Sequence, residues 1–212
     1  MASSTGEIFI ASSYGLLIID PRAKQNATIT YRAYQEGHVA NNSIATLFID
    51  SHDQLWLGTR GGLFSYDRQN HLITPFDTGS PVDHAEVTSI TEGQAGELWA
   101  GTKTGLYKIQ LKDKTVSHYK HEPNNSNSLN SNVIWRLLRD SYGWIWVGTD
   151  QGGLSLYNAA EDNFFNYKNN PIRNQSLQFD TIKSMIEDSN GDLWFGGFPK
   201  GVNYLSRGST VA

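Results

Sequence analysis

Hydrophobic and polar positions along this chain follow a unit that is written five times. Its full form reads LWLGTRGGLFSYD (55–67), LWAGTKTGLYKIQ (98–110), IWVGTDQGGLSLYN (145–158) and LWFGGFPKGVNYL (193–205), with a worn copy, IFIASSYGLLIID, at 8–20. Aligned on Trp56, Trp99, Trp146 and Trp194, with Phe9 in the first copy, the units stand 47, 43, 47 and 48 residues apart. Periods of this length belong to helical arrays or to β-propeller blades. Within each unit, short β-branched and aromatic runs are broken by glycine, and no ten-residue stretch keeps a helical period. The pattern therefore predicts blades.

Each unit reads as a four-stranded meander. A first strand (SIATLFI, VTSITE, VIWRLLR, TIKSMIE) leads into a tight turn (DSHDQ, GQAGE, DSYGW, DSNGD). In those turns an Asp accepts local backbone hydrogen bonds, and Gly96, Gly143 and Gly191 supply the left-handed conformation that hairpins need. The second strand carries the Trp and ends at Gly58, Gly101, Gly148 or Gly196, positions that predict a bulge or a close approach by another backbone. A third strand follows the next glycine turn, and a weaker fourth (HLITPF, TVSHYK, NFFNYK) completes the unit. The Trp and the apolar residue beside it must be covered by the neighbouring unit, since a lone blade cannot bury both faces. The expected division is a partial blade over 7–42, blades over 43–86, 87–132 and 133–180, and a partial blade over 181–212. The two partial ends cannot merge, because both contribute a second and a third strand. The reading expects an open arc of a longer propeller, able to self-associate through its blade faces, rather than a closed five-bladed ring.

Composition narrows the function. A hydrophobic share of 38% with six Trp, ten Tyr and nine Phe suffices for a core. A net charge of −4 leaves no basic field for nucleic acid. There is no membrane-spanning apolar run, and the N-terminal stretch lacks the basic and apolar regions of a signal peptide. Without cysteine there are no disulfides or thiolate metal sites.

The pattern DSxGxLWxGTxxGLxxYD, seen at 140–158 and 188–205, resembles the two-component regulator propeller repeats of bacterial sensor proteins. The connector HEPNNSNSLNSNVI (121–134) is similar to that family's lead into the next blade. Departures are Glu92 and Gly93 at the usual Asp turn, Gly197 for the usual Thr, and the worn first copy. The resemblance implies an extracytoplasmic, periplasmic sensor propeller. It also implies a parent protein that carries a transmembrane helix and a histidine kinase or diguanylate cyclase. A polar ligand such as an oligosaccharide is the expected partner, with no cofactor.

Candidate chemistry is sparse. DSNGD (188–192) has the alternating oxygens of a calcium loop, but Leu193 and Pro199 stand where an EF-hand needs Gly and Glu, so a hairpin turn is favoured. His118 and His121 lack a third ligand nearby in sequence, and a solvated strand end is favoured over a metal site. Asp83, Glu86 and Asp150 are the carboxylates that a channel acid pair would use. Four Asn-x-Ser/Thr triplets, at 26–28, 41–43, 124–126 and 174–176, read as incidental.

Comparison between copies is more informative. In the first strands, Ile44, Val87, Ile134 and Ile182 match, as do Leu47, Ile90, Leu137 and Met185. Between them the copies disagree: Ala45-Thr46, Thr88-Ser89, Trp135-Arg136, Lys183-Ser184. First strands line the channel of a propeller, so this pair is where copies can differ without unfolding. The same face should present Arg60, Lys103, Asp150, Gln151 and Lys200, with Asn42, Asn132 and Asp180 from the connectors. Trp135 with Arg136 is the leading ligand platform, supported by Lys183, Arg60, Lys103 and Asp150. The competing reading packs Trp135 between blades and leaves Arg136 as a solvated cap.

Overall fold

The structure, a computed structural model, describes residues 1–13, 15–22, 30–32, 43–173, 175–199 and 201–207. Asn42, Lys200 and most of the triplets at 26–28, 41–43 and 174–176 lie outside the described residues. Five antiparallel sheets follow one another along the chain. The first holds β1 (Ile8–Ser12), β2 (Gly15–Ile19) and β3 (Thr30–Arg32). The second holds β4 (Ile44–Ile49), β5 (Leu55–Thr59), β6 (Gly62–Asp67) and β7 (Leu72–Pro75). The third holds β8 (Val87–Glu92), β9 (Glu97–Thr102), β10 (Gly105–Gln110) and β11 (Val116–Tyr119). The fourth holds β12 (Ile134–Arg139), β13 (Ile145–Thr149), β14 (Leu154–Asn158) and β15 (Asn163–Tyr167). The last holds β16 (Thr181–Glu187), β17 (Leu193–Phe198) and β18 (Val202–Leu205). Every strand pairs with the next in sequence, which is the meander of a propeller blade. A short 3-10 helix, Pro81–His84, interrupts the connector before β8. Among the described residues no helix is long and apolar enough to cross a membrane.

Blades stack in sequence. Strand β8 packs on β5, β12 on β9 and β16 on β13, and β4 packs on β1 in the same way. Strand β1 therefore holds a second-strand place. There is no single core. Each sheet interface has its own apolar cluster: Phe9, Leu16 and Phe64 between the first two sheets, Trp56, Val87 and Tyr107 between the next two. Trp99, Ile134 and Phe164 fill the third interface, and Trp146, Ile182 and Phe195 the fourth. The earlier sheet supplies the Trp at three of these interfaces and Phe9 at the first.

The repeated glycine sits where two sheets meet. A Cβ built on Gly101 would stand 2.6 Å from Ile134 Cγ2, and one on Gly148 would stand 2.9 Å from Ile182 Cγ2. On Gly58 it would meet both Thr46 and Val87, at 2.5 and 2.7 Å. The first apolar residue of each inner strand thus presses on the preceding sheet, and only a residue without a side chain leaves it room.

The turn carboxylate closes each hairpin and ties down the Trp. Asp50 accepts from the backbone N–H of His52 and Gln54, both at 2.9 Å, while its other oxygen accepts from Trp56 Nε1 at 2.8 Å. Asp140 does the same for Tyr142, Trp144 and Trp146, and Asp188 for Asn190, Asp192 and Trp194. The carboxylate of the DSNGD turn is therefore spent on the hairpin. The third sheet departs from the pattern and compensates. Gly93 has no carboxylate, and Glu97 swings into the vacated space to accept from Trp99 Nε1 at 2.6 Å. A Cβ on Gly93 would lie 2.1 Å from Glu97 Oε1. Gly197 has a similar explanation: the Phe179 ring occupies the place of a side chain there, 1.9 Å from a Cβ built on it.

On the turn side, hydroxyls and carboxylates link adjacent sheets. Glu92, ending β8, accepts from Ser51 N and Oγ at 3.0 and 2.7 Å, and Glu187, ending β16, accepts from Ser141 N at 2.7 Å. Arg68 bonds Asp53 at 2.6 Å and covers the Phe9 ring. That guanidinium, with two bonds from Ser4, holds the Asp53 carboxyl well below its ordinary range, at about 2.

Candidate functional site

Strands β4, β8, β12 and β16 pack on one another in succession and form the inner side of the array. All four carry a bulge at the same place. Ile44 pairs with Thr59 and Thr46 with Gly58, which leaves Ala45 as the extra residue. By the same shift Thr88, Trp135 and Lys183 are the extra residues of β8, β12 and β16. A bulged residue has no partner across the ladder, and its side chain is re-aimed by the local kink. The residues that differ between copies are thus the ones released from the sheet.

The bulges have been put to different uses. Ala45 is exposed and small. Thr88 is structural: its hydroxyl lies 2.6 Å from Ile134 O and 3.0 Å from Gly101 O, joining the third sheet to the fourth. The next residue, Ser89, is buried and accepts from Leu137 N at 3.0 Å, so it too belongs to the scaffold. Trp135 and Lys183 stand apart from these. Lys183 Nζ lies 3.1 Å from the centroid of the Trp135 ring, and Lys103 Nζ lies 5.9 Å from it. Both distances are within cation–π range. Lys103 belongs to the turn between β9 and β10, Trp135 to β12 and Lys183 to β16. Three successive sheets converge on one indole.

Lys103 also pairs with Glu86 of the preceding connector at 2.9 Å. Among the described residues, Lys183 has no acidic partner, and the exposed Arg136 and Arg60 have neither a hydrogen bond nor an ion pair. Arg136 extends from the strand beside Trp135, opposite Gly148. Trp135 is half-buried, and its Nε1 is enclosed without a hydrogen-bond partner. The expected platform is therefore not a bare ring, because Lys183 already caps it.

The other expected residues are committed elsewhere. Asp150 accepts from Thr181 Oγ1 at 3.2 Å, and its backbone N–H bonds Val133 O at 2.9 Å, which seats the turn on the connector. Asp83 accepts from Thr78, Gly79 and Ser80 and caps its own loop. Asn132 accepts from His121 N, and Asp180 from Asn169 N, each at 2.7 Å. His118 stacks on Tyr107 with ring centroids 3.9 Å apart, and burial lowers its pKa. His121 Nδ1 contacts Leu129 O at 2.7 Å. Arg60 makes no contact with the Lys103–Trp135–Lys183 group.

A second concavity lies between the fourth and last sheets, on the side of the hairpin turns. It has a volume of about 990 Å³ and is lined by Tyr142, Trp144, Trp146, Phe165, Leu193 and Arg207 among others. Sequence reasoning passed over Tyr142 and Trp144, although they are aromatic where the other copies carry His52 and Gln54 or Asn190 and Asp192. Arg207 covers the Tyr142 ring at 3.5 Å and bonds Glu187 and Ser141, so its charge is spent within the fold.

Three segments, residues 38–61, 128–151 and 176–198, match the family described as two component regulator propeller. All three run through a bulged inner strand and into the second strand, the region that carries the repeated glycine and the Trp. These three segments are similar to two-component regulator propeller repeats. A match of 135 aligned positions, covering 59% of the chain, is 32% identical to histidine kinase P4 of Formosa agariphila and spans 9% of that protein's length. The repeats also match the extracellular domain of the hybrid two component system BT4673 of B. thetaiotaomicron. There the TM-score is 0.75 and the identity 21%, covering 94% of this chain and 26% of that one. Virginiamycin B lyase of Staphylococcus aureus shares the fold with a TM-score of 0.69 and 13% identity, over 99% of this chain and 69% of the lyase. The chain thus spans a small part of the sensor proteins that it resembles.

Proposed function

We propose that these repeats are the ligand-sensing, non-catalytic part of a bacterial transmembrane signalling regulator, placed outside the cytoplasm, and that the inner mouth binds an oligosaccharide. The observation that carries this reading is the convergence from three sheets of Lys103, in a turn, with Trp135 and Lys183, at two of the bulged positions. An aromatic face with a few polar groups, held on rigid strands, is what a saccharide site needs. Binding is favoured over turnover by the state of the nearby carboxylates. Glu86 is paired with Lys103, while Asp83 and Asp150 serve loop and turn, so no two face one another as a free acid and base.

The test is calorimetric titration of the chain against an oligosaccharide panel. Replacing Trp135 and Arg136 with Ala and Ser, the residues found at the matching places in other copies, is expected to abolish binding while leaving the circular dichroism spectrum intact. Unchanged affinity of the double variant would exclude this mouth.

A second reading, assembly through blade faces, has its own observation. Ile186, Trp194, Phe198, Val202 and Tyr204 lie on one face of the last sheet and are all exposed. The first sheet offers Ile8 and Ile10, also exposed, as a complementary face on a second copy. Light scattering is expected to show association that Trp194→Glu disperses, and a monomer at every concentration would dismiss it.

A further inference from the structure

The state of the mouth before any ligand arrives bears on what that ligand can be. Lys183 rests 3.1 Å over the Trp135 ring, without a carboxylate partner among the described residues. Arg136, the residue after Trp135 in β12, is exposed and has no ion pair among the described residues. Lys103 is the one cation of the group with an acidic partner, Glu86 at 2.9 Å. The remaining carboxylates of this face, Asp83, Asp150 and Asp180, accept hydrogen bonds from the loops around them. Hydrogen bonds from neutral donors leave those carboxylates charged, so the face as a whole is mixed in sign; it is at the indole that a cation, Lys183, stands without an acidic partner among the described residues.

A neutral sugar and an acidic one meet this arrangement differently. To stack on the ring face that Lys183 holds, a neutral sugar must displace the ammonium and forfeit the cation–π contact without replacing it. An acidic group offers the displaced ammonium a charge-assisted hydrogen bond, which is stronger than a neutral one. Lys183 is thus held ready by an aromatic ring rather than neutralised by an acid.

We propose that the ligand of this mouth is an acidic saccharide, bearing a carboxylate or a sulfate, and that Lys183 leaves the Trp135 ring to bind that group. This rests on the proposed binding role of the mouth and specifies the chemistry of its ligand. Carboxylate and sulfate share the chemistry, and the probes separate them.

Calorimetry on the intact chain would use tri-galacturonate, a sulfated galactotriose and neutral galactotriose, each at low and high salt. At least one acidic probe is expected to bind, with affinity falling as salt rises, while the neutral trisaccharide does not. Lys183→Gln is expected to weaken binding about tenfold, the size of one charge-assisted hydrogen bond. Trp135→Ala should weaken it as well, with the circular dichroism spectrum unchanged in both variants. Binding of the neutral probe with equal or greater affinity, lost in Trp135→Ala, would overturn the acidic assignment and leave the binding role standing. Acidic-probe binding indifferent to both Lys183→Gln and Trp135→Ala would overturn both. Failure of both acidic probes at millimolar concentration would also refute the acidic assignment.

Discussion

Trp146 and Trp194 occupy the same place in successive repeats and make the same hydrogen bond, to Asp140 at 2.9 Å and to Asp188 at 2.8 Å. Yet Trp146 is 1% exposed and Trp194 is 39% exposed. The difference lies wholly in what covers them. Trp146 is roofed by Ile182, Met185 and Phe195 of the following sheet, whereas among the described residues the ring packed on Trp194 is Tyr204 of its own sheet, with centroids 4.6 Å apart. The hairpin and its carboxylate–indole bond therefore form without a neighbour, and burial comes from the neighbour. Stability in such an array divides into a local part for each blade and a part for each interface.

The largest effects should follow that division. Trp146→Ala is expected to cost about 3–5 kcal/mol, as large-to-small changes in a closed core do. Trp99→Ala should match it, since Trp99 is as deeply buried. Trp194→Ala should cost only about 1 kcal/mol, the common value for a residue outside a core. Urea unfolding of the three variants measures this, and equal losses would mean that Trp194 is covered in solution.

A smaller contrast is expected at the interface glycines. In Gly148→Ala the new methyl would sit 2.9 Å from Ile182 Cγ2 and 3.2 Å from the Ile182 carbonyl oxygen, and overpacking of this kind costs about 1–3 kcal/mol. In Gly196→Ala it would meet only the movable Ser184 hydroxyl of its own sheet, 2.4 Å away, so a change within about 0.5 kcal/mol is expected. Thermal melts of the pair decide it. A larger loss at Gly196 would reverse the assignment of which glycine bears a neighbour.

The smallest effect sharpens the local half of the comparison. The Trp194 indole N–H bonds the Asp188 carboxylate, and with the turn amides it lowers the pKa of that group. A carboxyl lowered by folding adds stability above its unfolded pKa, and that stability is lost as pH falls through its folded pKa. Carbon-detected NMR titration should find Asp188 titrating below ordinary carboxylates, and Trp194→Phe should move it upward. An ordinary pKa in the intact chain would show that the bond is not formed in solution.

Much of this was readable in the chain because each blade repeats. Ile134, Leu137, Ile182 and Met185, the matching apolar residues of two inner strands, are all buried, and Gly101 and Gly148 do admit the next sheet. What the pattern could not show was the bulge. It treats Thr88 and Ser89 as a variable pair, whereas both hydroxyls tie the third sheet to the fourth. Nor does any local pattern reveal that Lys183 rests on Trp135, 48 residues earlier in the chain, because that contact exists only once two blades are stacked. Glu97 standing in for the absent Asp at Gly93 is a third instance: the replacement comes from the far side of the turn, out of register with the motif.

The shared bulge has a consequence for how such proteins diverge. Ala45, Thr88, Trp135 and Lys183 sit where the ladder skips a residue, so most exchanges there leave the sheet's hydrogen bonds as they were. Each blade contributes one letter to the rim of the array, read together with its neighbour's, as Lys183 on Trp135 shows. A gene duplication that adds a blade adds a letter, and a point mutation rewrites one at little cost to folding. Chemical taste can drift in this way while the architecture stays put. Grafting Trp135 and Lys183 onto the inner strands of an unrelated array of the same repeats would transfer the indole–ammonium pair with them.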